Sequence, residues 1–160
     1  MNEEALRNMG QTMYETICEM FDDRGFRYDR RDEDHIINCT VNGEDIPMDI
    51  IFHVRDDRQI VQLISPMPFR IPEDKRMDVA LAILVINDLL IDGSFDYDVT
   101  TGRIAFRLTA CYIESILGKG LFDYMLGVSA ATVDEYNDKF LMIGKGMLPV
   151  EDFIENERRQ

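Results

Sequence analysis

The side chains best suited to metal or nucleophile chemistry in this chain are two histidines, His35 and His53, and three cysteines, Cys18, Cys39 and Cys111. His35, Cys39 and His53 lie close together in sequence, but a zinc site needs about four ligands at short spacing, so the set is incomplete. Cys39 also falls between Ile37 and Val41 in a two-residue repeat, where a thiol packs as a small apolar group. Nucleophilic catalysis needs a serine or cysteine beside a base; two histidines are the only imidazoles, and no GxSxG stretch occurs. The tripeptide GKG appears at Gly118–Gly120 and Gly144–Gly146 without the GxxxxGK[ST] spacing of a phosphate loop, and reads as helix punctuation. The acidic pairs Asp22 and Asp23, Asp56 and Asp57, and Glu73 and Asp74 adjoin turns or helix starts, where carboxylates belong on electrostatic grounds alone. DEDH at Asp32–His35 lacks the glycine and distal glutamate of a calcium loop. The chemistry therefore points away from an enzyme and implies no cofactor and no metal.

Charge narrows the partners. A net charge of -14 repels phosphate backbones and anionic headgroups, which argues against nucleic acid and membrane surfaces as ligands. With 46% hydrophobic and 30% charged residues the composition is that of a folded globular protein, and 160 residues form one domain, 1–160, with room for a core. Three widely spaced cysteines do not make a disulfide framework and fit a reducing cytoplasm. The opening MNEEALRNMG lacks the basic and apolar regions of a signal peptide. The longest apolar run, Val79–Ile91, is interrupted by Asn87 and Asp88 and falls short of the roughly 18 residues of a membrane helix.

Periodicity supplies the elements that would position any site. Leu6, Met9, Met13, Ile17, Met20 and Phe21 recur at three- and four-residue steps, predicting an amphipathic helix from about Glu3 to Asp22. Phe26 and Tyr28 alternate with charged residues as a short edge strand, and Asp29–Asp34 reads as a solvated turn. His35, Ile37, Cys39 and Val41 share a strand face, followed by hairpin chemistry at Asn42-Gly43. A second strand, about Met48–Val54, and a third, about Gln59–Ser65, complete an antiparallel meander that Pro66 and Pro68 end, because proline cannot donate to the ladder.

A second helix opens at Pro72 or Glu73 and is apolar round most of its circumference. Met77, Ala80, Leu81, Leu84, Val85, Asp88 and Leu89 form one stripe, widened by Val79, Ala82, Ile83, Ile86 and Leu90. Such a helix is expected to be buried on two sides, and Leu84 and Asp88 become candidates for contact with a partner. Gly93 ends the helix, and a hairpin follows from Phe95, turning at Thr100–Gly102 and returning over Arg103–Tyr112. Beyond Ser115 the pattern supports either two helices, at about 121–126 and 130–143, or one kinked helix; Thr132 and Glu135 have capping-box spacing. Val150–Asn156 adds a terminal turn. Ten methionines suit an adaptable surface, although Met9, Met13 and Met20 fall on the core face of the first helix. Met67 and Phe69, flanking Pro68, are either exposed interface residues or a lid over the sheet edge.

The segment IPEDKRMDVALAILVINDLLIDGSFDYDVTTGRIAFRL resembles the YbjN-like family of bacterial sensory transduction regulators, matching in order at Pro72, Glu73, Asn87, Gly93, Phe95 and Gly102. The resemblance implies a fold similar to that of type III secretion chaperones, which are small acidic dimers that bind extended segments of other proteins. The expectation is thus an α+β domain, an antiparallel sheet of meander plus hairpin packed against helices. Its function would be a non-enzymatic protein-binding module, dimeric, with a protein or extended peptide as partner. The competing expectation is a small-ligand sensor or small enzyme, which requires a deep pocket with converging polar groups.

Overall fold

A computed structural model describes residues 1–160. In chain order the elements are α1 (Glu3–Asp23), β1 (Asp29–Arg31), β2 (Ile36–Asn42), β3 (Pro47–Arg55), β4 (Ile60–Arg70), α2 (Arg76–Leu89), β5 (Ser94–Asp98), β6 (Arg103–Cys111), α3 (Lys119–Gly144) and α4 (Val150–Arg158). The strands make one antiparallel sheet in the order β1-β2-β3-β4-β6-β5. Meander and hairpin are therefore fused, through a long β4–β6 ladder that pairs Ile60 with Cys111 and Ser65 with Phe106.

Period-two burial explains why the sheet is covered on one side. Ile37 and Cys39, Met48 to Val54 in alternation, Val61, Leu63, Phe95, Ile104 and Phe106 all point into the protein. Asn38, Thr40, Asp49, Arg107 and Thr109, on the other face, are exposed to water. The helices fill the covered face as two adjoining cores. Tyr14, Ile17 and Phe21 of α1 meet Phe52, Leu63 and Phe122 in the first, whereas Val79 and Ile83 of α2 meet Phe95, Phe106, Phe140 and Phe153 in the second.

α3 spans both cores and settles the one-or-two question. It is a single helix of 26 residues, about 39 Å long at 1.5 Å per residue. Phe122, Met125, Leu126, Ser129, Val133, Asn137, Phe140 and Ile143 form one buried stripe along it. A break at Gly127 would split that stripe, and a solvent-facing glycine costs a helix only about 1 kcal/mol, so continuity wins. The Thr132–Glu135 capping spacing is thus not used to start a helix.

Five further expectations are corrected. The edge strand lies at Asp29–Arg31 and not at Phe26 and Tyr28, because Tyr28 instead stacks on Phe21, ring centroids 5.3 Å apart, and donates to Asp22 at 2.8 Å. The solvated turn is correspondingly reduced to Asp32–His35. The β2–β3 connection is four residues, since Asn42 pairs with Pro47 and the loop leans on α3 through the Glu44 N–H, which donates to Asp134 at 2.8 Å. β4 runs through Pro66 and Pro68 to Arg70: its pairing with β3 ends at Ile64, and its register with β6 shifts between Pro66 and Arg70, so neither proline interrupts a two-sided ladder. α2 begins at Arg76, after a single 3-10 turn at Glu73–Lys75 that takes the proline and acidic residues expected at its start.

The thiols divide by burial. Cys18 and Cys39 lie inside the first core, and burial pushes each of them up to about 11. Cys111 is exposed at the end of β6. Titration with a chromogenic thiol reagent is expected to count one fast thiol in native protein and three after denaturation. Rapid modification of two or more native thiols would contradict this packing.

Candidate partner-binding surface

α2 is buried on one side only. Val79, Ala82, Ile83 and Ile86 form the inward stripe. Met77, Leu81 and Leu84, the residues on the opposite face, are 67%, 49% and 68% exposed, and Asp88 continues their line one helical turn on. Steps of four, three and four residues put all four on one helix face. Leu89, the last residue of α2, carries the apolar surface to the helix end, and Ile91, 97% exposed, extends it beyond. The expectation of a helix covered on both sides is therefore corrected: within one chain the second face is open. The stripe with Asp88 in it is the outward one, and its charged member was the available signal, since the inward set carries no polar residue.

The other two candidates part company. Met67 is 6% exposed and belongs to the second core, because β4 continues past Pro66 and strand parity aligns Met67 with Val61, Leu63 and Ser65. Phe69 is half-buried against the same core. Neither forms an open interface; both take the packing role. Leu84 and Asp88 remain at the surface, joined there by Met77 and Leu81.

The three soft-ligand candidates do not converge. His53 lies on the uncovered sheet face, opposite Gln62, with its pKa lowered by burial first and by Arg55 second. Cys39 faces inward. His35 precedes β2 in a left-handed conformation, φ 51°, and is buried with both ring nitrogens engaged. Nδ1 lies 2.9 Å from Asp56 Oδ1 and Nε2 2.8 Å from Gln11 Oε1, and the ring packs on Tyr14 at 5.1 Å. Tyr14 in turn donates to Asp32 at 2.7 Å, a bond that, with Arg30 at 2.7 Å, holds Asp32 below the usual carboxylate range. This network fastens α1 to the sheet. The glycine tripeptides are punctuation in fact, with Gly118 capping the start of α3 and Gly144 ending it, while Lys119 reaches Asp23 at 2.7 Å. One surface depression is lined by Arg27, Tyr28, Asp29, Asn38, Cys39 and Thr40.

A family model described as "Putative bacterial sensory transduction regulator", YbjN, matches residues 14–142. That span is most of the chain. The chain belongs to the YbjN family. The fold agrees: the crystal structure of YbjN from E. coli, described as "a putative transcription regulator", superposes with a TM-score of 0.57 at 12% identity, covering 79% of this chain and 92% of that one. No curated protein matches the sequence.

The positions that carry the YbjN resemblance have structural work. Asn87 is the clearest: its amide donates to the Phe95 carbonyl at 3.0 Å and accepts from the Phe95 N–H at 2.8 Å, so a side chain of α2 substitutes for a neighbouring strand along the open edge of β5. Tyr97 adds a second tie, its hydroxyl donating to the Arg76 carbonyl at 3.0 Å. Gly102 turns the β5–β6 hairpin at φ 74° directly against the backbone of Ile71, whose N–H donates to the Gly102 carbonyl at 2.9 Å. Pro72 and Glu73 open the 3-10 turn ahead of α2. Together these residues form a clamp that ties α2 to the β5 edge and leaves its outer face exposed.

Proposed function

We propose that this YbjN-family chain is a noncatalytic protein-binding module of the regulatory, chaperone-like kind, working as a homodimer that presents a binding surface to a protein or extended peptide. The observation that carries the reading is the exposed stripe Met77, Leu81 and Leu84 with Ile91 beside it. A single exposed leucine is ordinary, but apolar residues at helical spacing over about two turns form a contiguous patch of the sort that marks contact with another chain. A two-fold axis passing between Leu81 and Leu84 sets two α2 helices antiparallel. Asp88 of one copy then faces the first turns of the other, near Lys75 and Arg76 and the positive end of the helix dipole.

The family's description as a sensory transduction regulator is consistent with action through protein contacts, and the charge of -14 disfavours a nucleic acid ligand. No helix is long and apolar enough to cross a membrane. Three free thiols suit the reducing cytoplasm as the site of action.

Sedimentation at micromolar concentration tests the dimer. Wild type is expected to sediment as a dimer and Leu84→Asp as a monomer with an unchanged circular dichroism spectrum, because a residue 68% exposed contributes little to the fold of its own chain. A wild-type protein that is strictly monomeric at that concentration sinks the pairing. Phe69→Asp is the wrong probe, since it would place a charge against the second core.

A further inference from the structure

The open face of the sheet carries two arginines side by side at one corner. Arg70, the last residue of β4, and Arg103, the first of β6, are register partners, so their side chains stand on the same face, roughly 5 Å apart at Cβ. Both are exposed. Like charges directly opposite each other weaken a ladder, and here an irregularity in the strand creates the pairing. Between Pro66 and Arg70 β4 advances four residues while β6 advances two, from Ala105 to Arg103, so a bulge carries Arg70 into place. In an unbroken register Pro68 would stand opposite Arg103.

The chain has 31 acidic residues against 17 basic, yet the acids beside this pair are committed elsewhere. Asp96 is held at two points by Arg107, whose Nη2 donates to Oδ1 at 3.0 Å and whose Nε lies 2.9 Å from Oδ2. Asp98, the register partner of Arg103 on its other side, turns into the hairpin. Its Oδ1 accepts from the Thr100 N–H at 2.9 Å and the Thr100 hydroxyl at 2.6 Å, and its Oδ2 from the Thr101 hydroxyl at 2.8 Å. These bonds, those from Thr100 first, hold its carboxyl down to about 2. Arg76 adds positive charge behind the same turn, its Nε donating to the Ile71 carbonyl at 3.2 Å and its Nη1 to the Thr100 carbonyl at 2.6 Å. A surface hollow lined by Ile64, Ala105 and Arg103, among others, adjoins the pair. A local rule broken with no compensating contact inside the chain is characteristic of a functional site.

We propose that Arg70 and Arg103 form a binding site for a single phosphate group. Guanidinium forks match the oxygens of an oxyanion, and a phosphate group with a charge of roughly -1.5 to -2 balances two of them, where a carboxylate balances one. The rest of the chain limits the size of the ligand. A net charge of -14 repels long polyanions, so the site takes a compact anion, supplied as free phosphate or on a phosphorylated side chain. The site lies on the open sheet face and uses no residue of the outer stripe of α2, so it stands independently of the dimer.

The test is titration of the full-length chain with sodium phosphate at neutral pH and fixed ionic strength, chloride making up the balance, read at the arginine Nε–H resonances. Those of Arg70 and Arg103 are expected to move saturably with a midpoint on the order of a few millimolar. Arg55, at the opposite end of the same face, is the internal control. Arg70→Gln and Arg103→Gln are each expected to weaken binding about tenfold and Arg55→Gln less than about twofold. Both pair residues are exposed, so their variants keep the fold, and Arg103→Gln is expected to leave the thermal midpoint without phosphate unchanged or higher. A short phosphoserine peptide identifies the source. Affinity about tenfold above that of inorganic phosphate assigns the site to a phosphorylated protein, and affinity no better than that assigns it to the free anion. Shifts no larger than those produced by chloride, or equal weakening in Arg55→Gln, overturn the proposal. Sedimentation reads the dimer separately, so the two readings fail independently.

Discussion

Replacing Phe140 by alanine is expected to destabilise the protein by about 3–5 kcal/mol, the range for removing a fully buried phenylalanine from a core that cannot collapse around the gap. Phe140 is placed where such collapse is hardest. Its ring meets Phe95 edge-on at 5.1 Å, Tyr136 at 6.0 Å and Phe153 at 6.3 Å, so it joins α3 to β5 on one side and to α4 on the other. Each aromatic pairing adds roughly 0.5–1.5 kcal/mol beyond area burial. For a chain of this size the loss corresponds to a midpoint about 6–20 °C lower by thermal denaturation. A drop below about 3 °C would mean that the second core repacks freely around α3.

Asn87→Ala is expected to cost roughly 2–4 kcal/mol, from two hydrogen bonds lost and a backbone N–H and C=O of Phe95 left without their partner. The effect should be visible in urea midpoints and, residue by residue, as faster amide exchange at Phe95. Asn87→Asp is a sharper control. It keeps an acceptor for the Phe95 N–H but sets a second oxygen against the Phe95 carbonyl, so it should recover little of the loss. If Asn87→Ala left the midpoint within about 0.5 kcal/mol of wild type, water would be satisfying the β5 edge and the clamp would be dispensable. Aggregation of the alanine variant on concentration is the companion outcome, since the substitution uncovers a strand edge.

Most of the secondary structure was legible because its cause is local. Met48, Ile50, Phe52 and Val54 alternate with polar or half-buried neighbours, and all four are buried. Met13, Ile17, Met20 and Phe21 repeat with the helical period and fill the first core. The same local reasoning failed at Pro66 and Pro68, because a proline stops a strand only where its missing N–H faces a partner, and that depends on where β3 ends. It left one helix or two open around Gly127 for a related reason: whether a glycine breaks α3 depends on what the buried stripe on either side must cover.

The candidate surface was half legible. Leu84 and Asp88 could be picked out because α2 carries more apolar surface than one sheet can cover, whereas Met67 and Phe69 were read as a loose proline-rich segment that strand β4 in fact absorbs. Asn87 stood in the family pattern without revealing its task, since its partner is the backbone of Phe95, eight residues away, across a turn.

By itself the amino-acid sequence determined the α+β class and the family, because periodicity, turn residues and spacing are properties of neighbours along the chain. Tertiary structure alone decided that meander and hairpin form one sheet and that α3 is a single spine. It also decided that α2 shows Met77, Leu81 and Leu84 to water while α4 occupies its flank. Those outcomes depend on which apolar surfaces meet, and a helix with two apolar faces carries no local mark of the face that the sheet will cover.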